Sequence, residues 1–293
     1  MIPEFPDSRE ITLADKPIFD AIFAANPPDM SAYTFTNVFA WRGAYDATIS
    51  RLGEHILVLR DLGDEIACIE PLGDAPVRPT VEEVLRRSPR PVVFRRLSAR
   101  AASALEDLGL VIEPDRDNWD YVYLAEDLIT LAGRKYDGKR NQIARAKSRI
   151  DYQYVRMDVD LASRCEAFAH KWCLDRRCEA VDGLRRERCA IYEMLTNFDA
   201  LGIVGGAIVA NGEVVAFSLG EALNPETLVV HVEKADTTID GLYQLINNEF
   251  CIAEANGFTY VNREQDLGVP GLRKAKESYH PVRMIETFTA RKA

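Results

Sequence analysis

The hydrophobic pattern of this chain switches between a period of about two and a period of about 3.6 residues, and the switches come in the same order twice. In the first half, runs at Ala47 to Leu52 and His55 to Arg60 turn at Gly53. A strand at Glu65 to Glu70 then stops at Pro71. A short helix at Val81 to Arg87, a strand at Val92 to Arg95, a helix at Ser98 to Leu108 and a strand within Asp120 to Leu124 follow. Ser98 and Gly109 suit the two caps of that last helix. In the second half, a strand at Tyr152 to Met157 precedes a helix at Leu161 to Leu174 and a second helix carrying Ile191, Met194, Leu195 and Phe198. A hairpin of Gly205 to Ala210 and Glu213 to Leu219 turns at Asn211-Gly212, a strong hairpin signal. Strand Thr227 to Glu233, helix Asp240 to Ala255, strand Thr259 to Asn262, helix Gly271 to Tyr279 and strand Val282 to Thr289 complete the chain. Strands interleaved with helices in this way predict an α/β chain with a mixed sheet covered by helices. With 293 residues, two cores are expected rather than one. The division falls between Glu126 and Gly133, giving domains over 1–126 and 127–293. The aromatic run Tyr33 to Trp41 follows neither period.

Charge and cysteine content narrow the function classes. A net charge of −10 argues against general nucleic-acid binding. Against that background, Arg134, Lys135, Lys139, Arg140, Arg145, Lys147 and Arg149 crowd one stretch with only Asp137 opposing. A smaller group is Arg176, Arg177, Arg185, Arg186 and Arg188. Such runs are read either as solvated helix faces or as a local phosphate-facing patch. No apolar run reaches the roughly 18 residues of a membrane helix, and the first residues do not read as a secretory signal, so a cytoplasmic protein is expected. The six cysteines include no Cys-x-x-Cys pair, so reduced thiols are expected. Their distance from histidines predicts no metal site.

Two stretches carry chemistry. Along Val229 to Lys234, alternation points His231 and Glu233 the same way, as a proton relay or as a core histidine beside a strand-end carboxylate. Asn262 to Lys276 follows a strand and opens a helix, where ligands often bind in mixed sheets. There Gly268 and Gly271 permit a tight approach, and the helix amides with Arg273 and Lys276 suit an anion. A capped helix with surface ion pairs has the same pattern.

The segments Ala216 to Glu221, His231 to Ala235, Gly241 to Asn247, Asn262 to Gly268 and Gly271 to Pro281 resemble bacterial proteins related to the C-terminal domain of phosphatidylglycerol lysyltransferase. Tyr33 to Asn37, Trp41-Arg42 and Gly138 to Asn141 fit the same family. The resemblance implies tandem GNAT-like (N-acetyltransferase-like) acyltransferase domains, the second carrying the active site. It also implies transfer of an aminoacyl group from aminoacyl-tRNA to an amine or hydroxyl of a small-molecule or peptide acceptor, as in Fem-type enzymes. On that reading Glu233 or His231 deprotonates the acceptor and Asp266 orients it. Lys276, Arg273 and Asn262 then stabilise the oxyanion or hold the donor phosphate. Glu221, Tyr243, Arg263, Gly268 and Tyr279 line the substrate site, and Lys135, Lys139, Arg140 and Arg145 hold tRNA phosphates. Two alternatives stand: an N-acetyltransferase using acetyl-CoA or another acyl-CoA, and a non-catalytic ligand- or RNA-binding protein. The segment Lys234 to Gly241 departs from the glycine-rich pyrophosphate loop that CoA enzymes of this fold carry. All of the transferase reading requires Val229–Lys234 and Asn262–Lys276 to converge on one cavity.

Overall fold

A computed structural model of the chain describes residues 1–176 and 178–292, so Arg177 of the second basic group lies outside the described residues. Its strands are β1 (Arg9–Glu10), β2 (Ala47–Leu52), β3 (His55–Asp61), β4 (Ile66–Ile69), β5 (Val92–Leu97), β6 (Leu110–Pro114) and β7 (Asp120–Leu124). After them come β8 (Tyr152–Arg156), β9 (Val204–Ala210), β10 (Glu213–Asn224), β11 (Thr227–Ala235), β12 (Tyr260–Asn262), β13 (Arg283–Ile285) and β14 (Phe288–Lys292). They form two seven-stranded sheets, ordered β1-β2-β3-β4-β5-β14-β6 and β13-β7-β12-β11-β10-β9-β8. Each sheet contains a parallel pair bridged by a helix. In the first, β4 and β5 flank Val77–Arg87; in the second, β11 and β12 flank Leu242–Glu254.

Two compact units result, and each is discontinuous in sequence. The first holds residues 1–120, 265–269 and 285–293, and the second holds 121–264 and 270–284. The strand expected to end the first half, β7, instead pairs with β12 (Tyr260↔Leu124). The single strand expected over Val282 to Thr289 is two strands. β13 belongs to the second sheet, and β14 lies between β5 and β6 in the first. Alternation alone cannot say which sheet a strand joins, because both sheets bury the same kind of face. The strand Leu110–Pro114 had no sequence signal singled out for it; every residue in it is at least partly exposed. The aromatic run contains the helix Phe35–Ala40, opened by the Thr34 hydroxyl, which accepts from the Asn37 N–H; all six helical residues are buried. A helix hidden on every side shows no amphipathic period. Cys173 and Cys178, expected as thiols, are joined by a disulfide; Cys68, Cys165, Cys189 and Cys251 are free.

Within the second unit, Leu242–Glu254 buries Leu242, Leu245, Ile246 and Phe250 against the sheet. Most of the basic stretch forms the helix Asp137–Arg149, which buries Ile143 and Ala146, leaves Arg140, Arg145, Lys147 and Arg149 exposed and half-buries Lys139. β10 and β11 slip register where Leu219 faces Val232 and Gly220 faces Val230, so His231 is the extra residue of a β-bulge. Gly220 is required there: a Cβ on it would lie 2.3 Å from the Val229 carbonyl oxygen. Gly220→Ala is expected to lower unfolding stability by about 3 kcal/mol, or to prevent folding, since backbone must move to admit the methyl. Urea denaturation of purified variant and wild type measures the difference.

Candidate functional site in the second unit

β11 and β12 pair in parallel for three residues only, ending at Val229↔Asn262, while β11 runs on to Ala235. Past that point the residues following β12 reach β11 through side chains. His231, thrown sideways by the bulge, contacts Glu264 Oε1 through Nδ1 and Glu221 Oε1 through Nε2, both at 2.8 Å. Glu233 accepts from Arg263 Nη2 at 2.5 Å and from Asn247 Nδ2 at 2.7 Å. The two stretches singled out in the sequence therefore meet through paired charges.

The electrostatics assign different tasks to these groups. The His231 side chain has 0% exposure. Burial pushes its pKa down, but the two carboxylates outweigh burial and raise it to about 9. At neutral pH it is an imidazolium donating from both nitrogens, with no lone pair to accept a proton. It ties β10 and β11 to the chain after β12, nearer the core-histidine alternative of the sequence reading than the proton relay. Glu233 and Arg263 are 14% and 12% exposed. Burial pushes the Arg263 guanidinium pKa down, and Glu233 more than restores it. The guanidinium carbon lies 5.7 Å from the Tyr123 ring centre and 4.7 Å from that of Tyr279, within cation–π range. Burial pushes both phenols up, so the rings stay neutral. Arg263 Nε and Nη1 are buried without a hydrogen-bond partner. An unmet buried donor costs about 1–3 kcal/mol.

The remaining expected residues divide by unit. Lys276 is buried and donates from Nζ to the Arg263 carbonyl, while the Tyr123 hydroxyl donates to the Lys276 carbonyl at 2.9 Å. The buried Asn262 accepts from the Glu264 N–H at 2.8 Å and so shapes the turn that presents Arg263. Tyr243 is half-buried against the core, its phenol pushed up by burial, and Arg273 is half-buried on the helix Pro270–Glu277. Asp266 and Gly268 belong to the first unit. There Asp266 is fully buried, pairs with Arg116 at 3.1 Å and accepts from the Gly268 N–H at 2.8 Å. It is thus engaged in holding its own loop.

The basic residues form a separate feature. Lys135, Gly138, Lys139, Gln142, Arg145, Ser278 and His280 line a hollow of about 470 Å³. Arg140 does not line it: its guanidinium donates to the Leu131 and Gly133 carbonyls and to Asp137, fixing the turn before its helix. Lys139 Nζ lies 3.9 Å above the Tyr279 ring and 2.6 Å from Ser278 Oγ. Burial, with the Arg263 charge nearby, lowers its pKa to about 8. Lys139 and Arg263 therefore share one aromatic ring. Ser278 and His280 lie in the segment Gly271 to Pro281 that carries the family resemblance but were not singled out, since a serine just past a helix reads as an ordinary cap. The loop that would cradle a pyrophosphate is closed from within. Asp236 Oδ1 accepts from the Thr238 N–H at 2.9 Å and from its hydroxyl at 2.8 Å, and Asp240 pairs with Arg145 at 2.7 Å. A Cβ on Gly241 would lie 1.9 Å from the Gln142 carbonyl oxygen, so the start of Leu242–Glu254 sits hard against the basic helix.

The His231 contacts make stability depend on pH. Its folded pKa of about 9 exceeds its ordinary 6.5, so its contribution is full below about pH 6.5 and is lost as pH rises through about 9. Urea-unfolding stability of wild type is expected to fall by on the order of 3 kcal/mol across that window. In His231→Gln the fall is absent. An equal slope in both proteins contradicts the assignment.

Among the described residues no helix is long and apolar enough to cross a membrane, and no group of three or more His, Cys, Asp or Glu is placed to hold a metal ion. A search of curated proteins finds no match. Among solved structures, a conserved protein of unknown function from Bacteroides thetaiotaomicron VPI-5482 is 34% identical over 99% of both chains, with a TM-score of 0.89. L-PGS from Bacillus licheniformis is 15% identical over 100% of this chain and 94% of its own, with a TM-score of 0.66. FemX is 9% identical over 98% of this chain and 97% of its own, with a TM-score of 0.50. These likenesses show a shared fold of two mixed sheets covered by helices. The profile of the family described as "Phosphatidylglycerol lysyltransferase, C-terminal" matches residues 24–291, and the chain belongs to that family.

Proposed function

We propose that the second unit is an acyltransferase that moves an aminoacyl group from the ester of an aminoacyl-tRNA to an amine or hydroxyl acceptor. The observation that carries this reading is the Tyr279 ring, shared by Lys139 from the hollow and by Arg263 from the parting of β11 and β12. A phosphate-bearing donor suits the hollow. Lys135 and Arg145 pair there with the part-exposed carboxylates of Asp127 and Asp240. Exposed pairs of this kind are worth about 0–1 kcal/mol and exchange readily for phosphate. Arg263, oriented by Glu233 and supported by Asn262 and Lys276, supplies fixed positive charge toward the carbonyl oxygen on which negative charge develops.

The acyl-CoA reading is weaker. The Thr238 N–H is already bonded to Asp236, and Asp236 and Asp240 place two carboxylates where a pyrophosphate would lie. Like charge disfavours that ligand.

Two measurements test the proposal. Mixed with a pool of charged tRNAs, the protein is expected to accelerate loss of the ester for at least one amino acid, with Arg263→Gln slower by roughly 100-fold. Lys135→Ala is expected to weaken tRNA binding and to reduce the slope of log affinity against log salt by about 1. No protein-dependent deacylation for any amino acid, or an Arg263→Gln rate equal to wild type, refutes the reading. A melting temperature raised by acyl-CoA and not by tRNA favours the CoA donor instead.

A further inference from the structure

We infer that Asn247 is a specificity residue of the second unit, and that its side-chain carbonyl receives the α-amino group of the aminoacyl moiety. The inference rests on the acyl-transfer reading and adds to it the part of the donor that the site reads. Asn247 lies on the buried face of the helix Leu242–Glu254, 1% exposed, beside Leu245, Ile246, Phe250 and Cys251. An amide on such a face costs stability unless its polar atoms are bonded. Here one atom is bonded and the other is not. Nδ2 donates to Glu233 Oε1 at 2.7 Å, while Oδ1 is buried without a hydrogen-bond partner among the described residues. The next residue, Asn248, shows what a structural amide does on the same helix: its Nδ2 donates to the Leu128 and Ile129 carbonyls at 2.8 and 2.9 Å.

The unmet atoms complement one another. The Glu233 carboxylate is held by Asn247 on Oε1 and by Arg263 on Oε2. Arg263 Nε and Nη1 are buried donors without a partner, and Asn247 Oδ1 is a buried acceptor without one. All three belong to side chains bonded to that one carboxylate, beyond the point where β11 and β12 stop pairing. A ligand that meets them carries an oxygen for the guanidinium and an N–H for the amide on one small group. An α-amino ester has this pattern, with its carbonyl oxygen and its nitrogen on adjacent carbons. A plain acyl ester brings the oxygen alone and leaves Oδ1 unmet.

Charge and access fit the same ligand. Glu233 offsets the Arg263 charge, and the amide carbonyl is a neutral acceptor that serves an amine or an ammonium alike. The side chains of Glu233 and Arg263 are 14% and 12% exposed, so the pair reaches the surface along one edge. Nε and Nη1 hold no hydrogen bond, so the guanidinium turns about its Nη2 contact without breaking one, and that turn admits the ligand.

The test uses the full chain and the carboxamides of the amino acids as unreactive probes, each set against the des-amino carboxamide with the same side chain. Wild type is expected to bind at least one amino acid amide roughly 100-fold more tightly than its des-amino counterpart, measured by calorimetry. Asn247→Leu, close in volume, removes the acceptor and is expected to cut that ratio at least 10-fold. Asn247→Ser, which withdraws the acceptor through a shorter side chain, gives the same loss and stands in where Asn247→Leu does not fold. Arg263→Gln is expected to weaken both probes and to keep the ratio. A wild-type ratio near 1, or no amide bound, overturns the inference. So does an Asn247 variant that weakens both probes with the ratio unchanged, which is the behaviour of a merely structural asparagine. Equal deacylation of tRNA carrying an aminoacyl group or its des-amino counterpart also overturns it, and leaves acyl transfer standing. Selective amide binding without deacylation of any charged tRNA supports the site and removes the tRNA donor.

Discussion

The buried pair of Glu233 and Arg263 holds together two strands that have stopped bonding to each other. β11 and β12 exchange backbone hydrogen bonds only as far as Val229 and Asn262, and past that point side chains must supply the cohesion. A buried ion pair stabilises only when geometry and extra hydrogen bonds offset desolvation, and losing one partner costs about 3–5 kcal/mol. Here Asn247 adds a bond to Glu233, and Tyr123 and Tyr279 flank the guanidinium. The arrangement leaves Nε and Nη1 of Arg263 unmet inside the protein. A fold that only needed cohesion there could use an apolar contact. Charge retained at such a position, with donors left unmet, marks it as a candidate functional site.

Around that pair the titratable groups separate into those that hold and those that can act. Glu233 or His231 was the expected proton acceptor, yet two carboxylates keep His231 protonated and engaged on both sides. Lys139 was grouped with the phosphate contacts. It lies over Tyr279 and faces a hydroxyl instead of a carboxylate, and its pKa is lowered to about 8. The same low-dielectric surroundings raise one pKa and lower the other; the difference lies in which neighbour is within reach.

Much of the architecture was legible because it rests on local rules. The hairpin at Asn211-Gly212, the helix Leu242–Glu254 with its apolar face and the register of β2 with β3 follow from period and turn chemistry. The meeting of His231 and Glu233 with the residues after Asn262 was also foreseeable, since parallel neighbours place their ends side by side. Other features were hidden. The β-bulge at His231 depends on the partner strand. Phe35–Ala40, buried all round, shows no face. The Asp266 carboxylate is engaged by Arg116, 150 residues away in sequence. Ser278 acquires meaning only from a lysine 139 residues distant.

Residue pattern alone was enough for the class of fold, because hydrophobic period and turn propensity act over a few neighbouring residues. Which sheet each strand enters, which carboxylates face a given cation and where a hollow opens depend on contacts between distant segments. Those contacts are chosen by packing of the whole unit, and that choice decided that β14 completes the first sheet, that His231 is a tie and that Lys139 faces Ser278.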